Sequence, residues 1–401
     1  MSLLMVVESA PLQNEFRSAK MKLVTQTMHE KGIDLWVIFT REGNQDPISN
    51  DLMFGSLTWR SAALIGADGS RTAIVGSFEV DTVKSSGFYD RVLGYEKEGV
   101  APKLREVVGK LMPKRIALNT SYDFGAADGL STGMNAYLHE ALKGSVGKFV
   151  SSEDLIISLR TVLVQGEVDL LHKSVGLCEK IYHATEQEAI RPGRKDEQIY
   201  DYMVNEVKEL GLQPAWAEAN CPSVLVGSDS PGHLGFHGTT LKNNQLLKID
   251  FGVQYKGYCS DIQHCYFVGK GSPTSDVRRD FTSAREANDA SLDILKPGVA
   301  GHKVDAAARR VVVSRGYPEF MHATGHPLGR STHELGPLLG PRWRWRYGHA
   351  SELKVQKNMA FTIEPSILGK KGTLNLEQDV LVTSRGYLEL SKPQEELTCI
   401  G

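Results

Sequence analysis

In the second half of this chain acids sit inside apolar segments, where burial is costly unless something pairs them. Asp250 stands in Ile249-Asp250-Phe251-Gly252, just after Leu246 and Leu247. Glu364 follows Met359-Ala360-Phe361-Thr362-Ile363, and Glu377 precedes Val380-Leu381-Val382. Asp261 lies eleven residues after Asp250, in Gly257-Tyr258-Cys259-Ser260-Asp261, and His326 lies in Thr324-Gly325-His326-Pro327-Leu328-Gly329. A chain that folds these segments inside must bring the acids to a shared partner. Four carboxylates and one imidazole form a donor set for a pair of divalent cations. Such a pair can polarise a carbonyl and make water reactive at neutral pH.

The alternation of strand side chains carries the first step. Residues 245–255 and 258–268 read as a hairpin turning at Lys256-Gly257. With a two-residue loop Asp250 faces Gln263, and Asp261 falls on the same face as Asp250. Cross-strand neighbours on one face are roughly 5–8 Å apart, close enough to flank a dinuclear centre. Taken alone, the pair could be two surface aspartates on a solvated hairpin. Leu246, Leu247, Ile249 and Phe251 instead imply a strand buried on both faces. Any one of His322, His326 and His333 could be a satisfied core histidine, but three fall within twelve residues.

The chain has 401 residues, enough for two domains, and a formal net charge of −2, which gives no electrostatic pull toward nucleic acid or an acidic membrane. No apolar run reaches the ~20 residues needed to span a bilayer. Cys178, Cys221, Cys259, Cys265 and Cys399 are odd in number and lack C-x-x-C spacing, so reduced thiols and a cytoplasmic location are expected. The pattern is α/β (α+β). In residues 1–160, Val24 and Met28 share a helical face closed by Gly32, 35–39 and 114–119 read as strands, and Asp68-Gly69 marks a hairpin. That part shows no phosphate-binding glycine loop and no ligand cluster. Residues 161–401 open with a long helix whose stripe is Val168, Leu171, Val175, Cys178 and Tyr182. Pro192 to Gly211 and Pro297 to Gly316 then enclose two further helices over the same 19-residue interval. A degenerate duplication follows, with the site in the crevice between two related halves.

These motifs, over roughly residues 166–400, resemble the pita-bread metallopeptidases (family M24), which include methionine aminopeptidases, Xaa-Pro aminopeptidases and Xaa-Pro dipeptidases (prolidases). The first 160 residues resemble the creatinase/prolidase N-terminal domain in length and pattern, which favours the proline-directed branch. The resemblance implies two divalent metal ions per subunit, Mn²⁺ first, with Zn²⁺ or Co²⁺ also suited to the donors. Asp250 and Asp261 would hold one ion, with Asp261 bridging. His326 and Glu364 would hold the other, and Glu377 would bridge. Glu364 would also shuttle protons. His333 would stabilise the oxyanion or hold the substrate, with His322 beside it. An upstream active-site histidine would be His233, seventeen residues before Asp250, or alternatively His237. The resemblance further implies a small peptide substrate and a homodimer, with neither nucleic acid nor membrane as partner. Xaa-Pro dipeptidase is the leading function. Cleavage of longer Xaa-Pro peptides, a non-proline substrate, and a non-catalytic binding module are the alternatives.

The chain departs from the family pattern outside the five ligands. Asn375 stands where an Arg is usual, Leu368 where proline-specific members often carry Tyr, and Asp261-Ile262-Gln263-His264 replaces Asp-x-Thr-Arg. A small subgroup of bacterial prolidases resembles this chain in lacking that Tyr and Arg. Three further segments invite other readings. The run from Arg342 to Tyr347 could be a nucleic-acid stacking strip, but reads better as a loop near the site. Trp59-Arg60 reads as a packed strand end or an arm toward a partner, and 103–114 as a solvated helix face.

Overall fold

The computed structural model describes residues 12–52, 54–144, 147–227 and 235–401. The chain forms two compact units that divide between Arg160 and Thr161.

In the first unit Leu35–Thr40, a fully buried run, centres a six-stranded mixed sheet. It pairs antiparallel with Ser61–Gly66 and parallel with Arg115–Leu118. Gly69 has a φ of 86°, and the Asp68 carboxylate accepts the Ser70 N–H at 2.9 Å, closing the hairpin to Arg71–Gly76. The helix Asn14–Lys31 buries Val24 and Met28 and ends at Gly32 in the left-handed region. The helix Val100–Leu111 presents lysines outward while Leu104, Val107 and Val108 join the core beneath the sheet. Trp59 packs on Phe78 and Tyr95, and the Arg60 guanidinium lies over Tyr137.

The second unit contains two α/β halves. The first half has the helices Gln165–Glu188 and Asp196–Glu209 and a sheet ordered Thr398–Ile400, Ile262–Val268, Gln245–Phe251, Ser223–Val226. The second half has the helices Ser275–Leu292 and Gly301–Ser314 and a sheet ordered Pro327–Leu328, Ala360–Ile363, Gln378–Val382, Tyr387–Glu389. Helices Asp196–Glu209 and Gly301–Ser314 each span 14 residues. Each is entered after a Pro-Gly turn with positive φ (Gly193, Gly298) and left through a positive-φ glycine (Gly211, Gly316). Among the described residues the sheets meet at the backbone bridge Gln263 to Glu377.

The hairpin pairs Asp250 with Gln263 and turns at Lys256 and Gly257, both at positive φ as a two-residue turn of this hand requires. It is not continuous, however. The ladder breaks at Gly252 and again at Ser260 and Asp261. A side chain at 252 would drive its Cβ to 1.9 Å from the Ser260 carbonyl. Nor is the strand buried on both faces: Gln245, Lys248 and Asp250 are partly exposed, while Leu246, Leu247, Ile249 and Phe251 are buried.

Candidate metal centre

Four of the five expected ligands stand where strands stop or break, while Asp250 lies within Gln245–Phe251. Asp261 fills the gap before Ile262–Val268, His326 immediately precedes Pro327–Leu328, Glu364 immediately follows Ala360–Ile363, and Glu377 immediately precedes Gln378–Val382. The structure brings four of them together at the seam of the two sheets. One donor atom each from Asp261, His326 and Glu377 lie within 4.8 Å of one another. His326 Nε2 is 3.5 Å from Asp261 Oδ2 and 3.5 Å from Glu364 Oε1. Asp250 joins them electrostatically, since its charge acts on Asp261, Glu364 and Glu377.

Buried without a cation, these acids resist ionisation. Burial pushes Glu364 up to about 8, helped by the Asp250 charge and opposed by a Thr362 hydrogen bond and the Lys248 charge. Burial first, then neighbouring carboxylates, raises Asp261 and Glu377 well above the usual carboxylate range. Burial, with the charge of His333, holds His326 well below the usual histidine range. Its Nδ1 lies 3.3 Å from the Pro327 carbonyl, which can only accept, so Nδ1 carries the proton and Nε2 a lone pair. The Nε2 lone pair and two buried carboxyl groups, which keep their protons for want of a counter-charge, therefore converge. A divalent cation resolves that convergence, and the donor set is of the type that binds one.

Supports around the site are drawn from distant parts of the chain. Asp379 is fully buried and its Oδ2 accepts the Asp261 N–H at 3.0 Å. The Thr362 hydroxyl accepts the His326 N–H at 3.1 Å and reaches Glu364 Oε1 at 3.5 Å. Gly325 is pressed against Thr362, where a Cβ would come within 1.9 Å of the carbonyl oxygen. Sequence reasoning missed Asp379 and Thr362. The only signal for Asp379 was a second acid two residues after Glu377.

The remaining histidines differ. His333 is exposed and its ring lies on that of His326, with centroids 4.1 Å apart. His322 has Nδ1 against the Ala323 carbonyl and Nε2 against the Ser366 hydroxyl, two residues beyond Glu364. His233 lies outside the described residues. His237 is exposed, and its backbone N–H bonds Asp196. In the 342–347 segment Trp343 stacks on Tyr347 and on Trp345, while Arg309 lies over Trp343 and donates to the His322 carbonyl at 2.5 Å. Arg344 pairs with Glu352, and Arg346 donates to the Met321 carbonyl. The segment therefore packs against the chain that leads into the Gly325-His326 turn.

The family description "Metallopeptidase family M24" matches residues 169–384, and the chain belongs to this family. Its second unit is the pita-bread domain, preceded by a mixed α/β unit. A "Probable dipeptidase PepE" of Mycobacterium tuberculosis is 30% identical over 258 residues, 63% of this chain and 64% of the relative. The chain thus matches less than two-thirds of that relative's length. An X-Pro aminopeptidase structure from Thermotoga maritima superposes with a TM-score of 0.68 at 25% identity, covering 94% of this chain and 100% of the other. The structure of dipeptidase PepE from Mycobacterium ulcerans shares the fold, with a TM-score of 0.71 at 23% identity over 98% and 100% of the two chains. Among the described residues no helix is long and apolar enough to cross a membrane.

Proposed function

We propose that the protein is a dinuclear metallopeptidase that hydrolyses Xaa–Pro bonds, acting as an Xaa-Pro dipeptidase. The carrying observation is the convergence of His326 Nε2 with Asp261 and Glu364 oxygens at 3.5 Å, with Glu377 beside them, a set of groups that ligate a cation once deprotonated. The printed names of the relatives, dipeptidase and X-Pro aminopeptidase, support the reaction class.

In this reading Asp250 and Asp261 would hold one divalent ion and His326 and Glu364 the second, with Asp261 and Glu377 able to serve both. The ions, Mn²⁺ in the first instance, would supply Lewis-acid polarisation of the scissile carbonyl and an acidified water. Glu364 takes the proton of the attacking water and returns it to the departing proline nitrogen. His333, exposed over the His326 ring, donates to the carbonyl oxygen as negative charge develops there. His322, its ring fixed by Ala323 and Ser366, contacts the substrate, and the role of the upstream histidine falls to His233. A cytoplasmic homodimer belongs to the same proposal, in keeping with five unpaired cysteines.

Rates on Ala-Pro, Ala-Pro-Pro and Ala-Ala after Mn²⁺ loading test it. Ala-Pro should be cleaved fastest and chelation should abolish the activity. Equal rates on Ala-Ala would refute proline specificity, and cleavage of the tripeptide alone would replace the dipeptidase by an aminopeptidase.

A further inference from the structure

The long helix of each half sends one buried polar side chain to the backbone beside that half's acids. In the first half the Tyr182 hydroxyl lies 2.9 Å from the Ile249 carbonyl and 2.7 Å from the Ile262 carbonyl. Ile249 is the residue before Asp250, and Ile262 the residue after Asp261. In the second half the Asn288 amide donates at 3.3 Å to the Ile363 carbonyl and at 2.9 Å to the Leu376 carbonyl. Those two residues immediately precede Glu364 and Glu377. Tyr182 is 2% exposed and Asn288 1%, so water is not available to replace either group.

Each side chain thus spans two chain segments and fixes the gap between the two acids they carry. Ser174 and Cys178, two turns and one turn before Tyr182, bond the carbonyls of Val253 and Phe251 at 2.8 and 3.4 Å. Ser174 touches that one segment, whereas Cys178 also reaches the Ser260 side chain beside Asp261. A span between the two acid-bearing segments, not the helix-to-strand bond as such, sets Tyr182 and Asn288 apart from Ser174.

We infer that Tyr182 and Asn288 are paired positioning residues: Tyr182 sets the Asp250–Asp261 separation and so bears most on the ion that Asp250 would hold, and Asn288 sets the Glu364–Glu377 separation and so bears most on the ion that Glu364 would hold. The inference rests on the dinuclear reading above and adds that the two binding steps are unequally adjustable from outside the ligand set. Residues that orient metal ligands typically change affinity ten- to a hundredfold when lost. Both carbonyl pairs survive the substitutions Tyr182→Phe and Asn288→Leu, so the ligands themselves remain.

Stepwise Mn²⁺ titration of the metal-stripped full-length protein by calorimetry tests it without recourse to catalysis. Tyr182→Phe should weaken one binding step about tenfold or more and, because Asp261 would serve both ions, weaken the other by a smaller factor. Asn288→Leu should weaken the opposite step more strongly. Ser174→Ala loses a buried bond of the same kind and should change neither step by more than twofold. Asn288→Gln, which keeps the amide, should recover part of the affinity lost in Asn288→Leu. Equal weakening of both steps in both variants, or a loss in Ser174→Ala as large as in Tyr182→Phe, would overturn the inference. A wild-type titration with one step only would refute the dinuclear reading and this inference together. Failure to cleave Ala-Pro with both steps intact would remove only the peptidase reading. Should Tyr182→Phe not fold, Asn288→Leu with its Gln partner decides the question.

Discussion

Replacing Gly325 by alanine should damage stability and activity together. The added Cβ would meet the Thr362 carbonyl oxygen at 1.9 Å, and real contacts of this kind essentially never fall below 3.0 Å. The two segments must therefore part by more than 1 Å. They are held by the Thr362 N–H to His326 carbonyl bond at 3.0 Å and the Glu364 N–H to Thr324 carbonyl bond at 2.7 Å. Neither side can retreat without carrying a site residue, because His326 follows Gly325 and Glu364 stands two beyond Thr362. Overpacking of this size costs about 1–3 kcal/mol, and a lost backbone bond adds about 1 kcal/mol. The expected destabilisation is about 2–4 kcal/mol, which for a unit of this length lowers Tm by about 5–15 °C. A displacement of about 1 Å at the reacting centre costs about a hundredfold in rate.

Thermal unfolding of the metal-free protein and Ala-Pro hydrolysis after Mn²⁺ loading measure the two effects. Gly109→Ala is the control. It lies within the helix Val100–Leu111 with nothing within 4 Å of the new Cβ. It should leave activity intact and gain up to about 1 kcal/mol. A Gly325→Ala protein with unchanged Tm and activity within twofold of wild type would show that the two segments do not approach as described.

Two further outcomes follow from the buried charges. Glu364 is pushed from 4.5 up to about 8, so between those values the metal-free fold keeps a proton that the unfolded chain has released. Its stability should accordingly fall as pH rises from about 4.5 to about 8, then level off. The gain in Tm on adding Mn²⁺ should therefore be larger at pH 8 than at pH 5, and equal gains would contradict the buried cluster. Asp379→Ala removes the acceptor of the Asp261 N–H and should weaken Mn²⁺ binding about ten- to a hundredfold in a calorimetric titration.

Some of this architecture was legible in the residues because local rules fix it. The Asp250–Gln263 register follows from period-two alternation and a two-residue loop, and Lys256 and Gly257 adopt the positive φ such a loop needs. Gly32 and Gly211 end their helices because each must enter the left-handed region. The breaks at Gly252 and Asp261 were hidden, since a strand pattern records which side chains alternate and not where a ladder is interrupted by close backbone approach. Asp379 was hidden as well, because its partner Asp261 is 118 residues away.

Tyr182 and Asn288 show a deeper limit. Tyr182 belongs to an apolar helical stripe and is buried like the rest of it, so periodicity assigns it to packing. Asn288 lies on the buried face of its helix, Ser275–Leu292, with Ala284 and Ala287, and reads as an imperfection in that face. The recurring 19-residue interval revealed the shorter helices of the two halves, yet these two side chains share neither residue type nor spacing. What recurs is the requirement they meet. In both halves a pair of buried carbonyls flanks the charged ligands and takes a donor where water cannot reach. A phenol hydroxyl meets that need in one half and a carboxamide in the other. The equivalence therefore lies in the backbone groups being satisfied, and becomes visible only when the two sheets are set side by side.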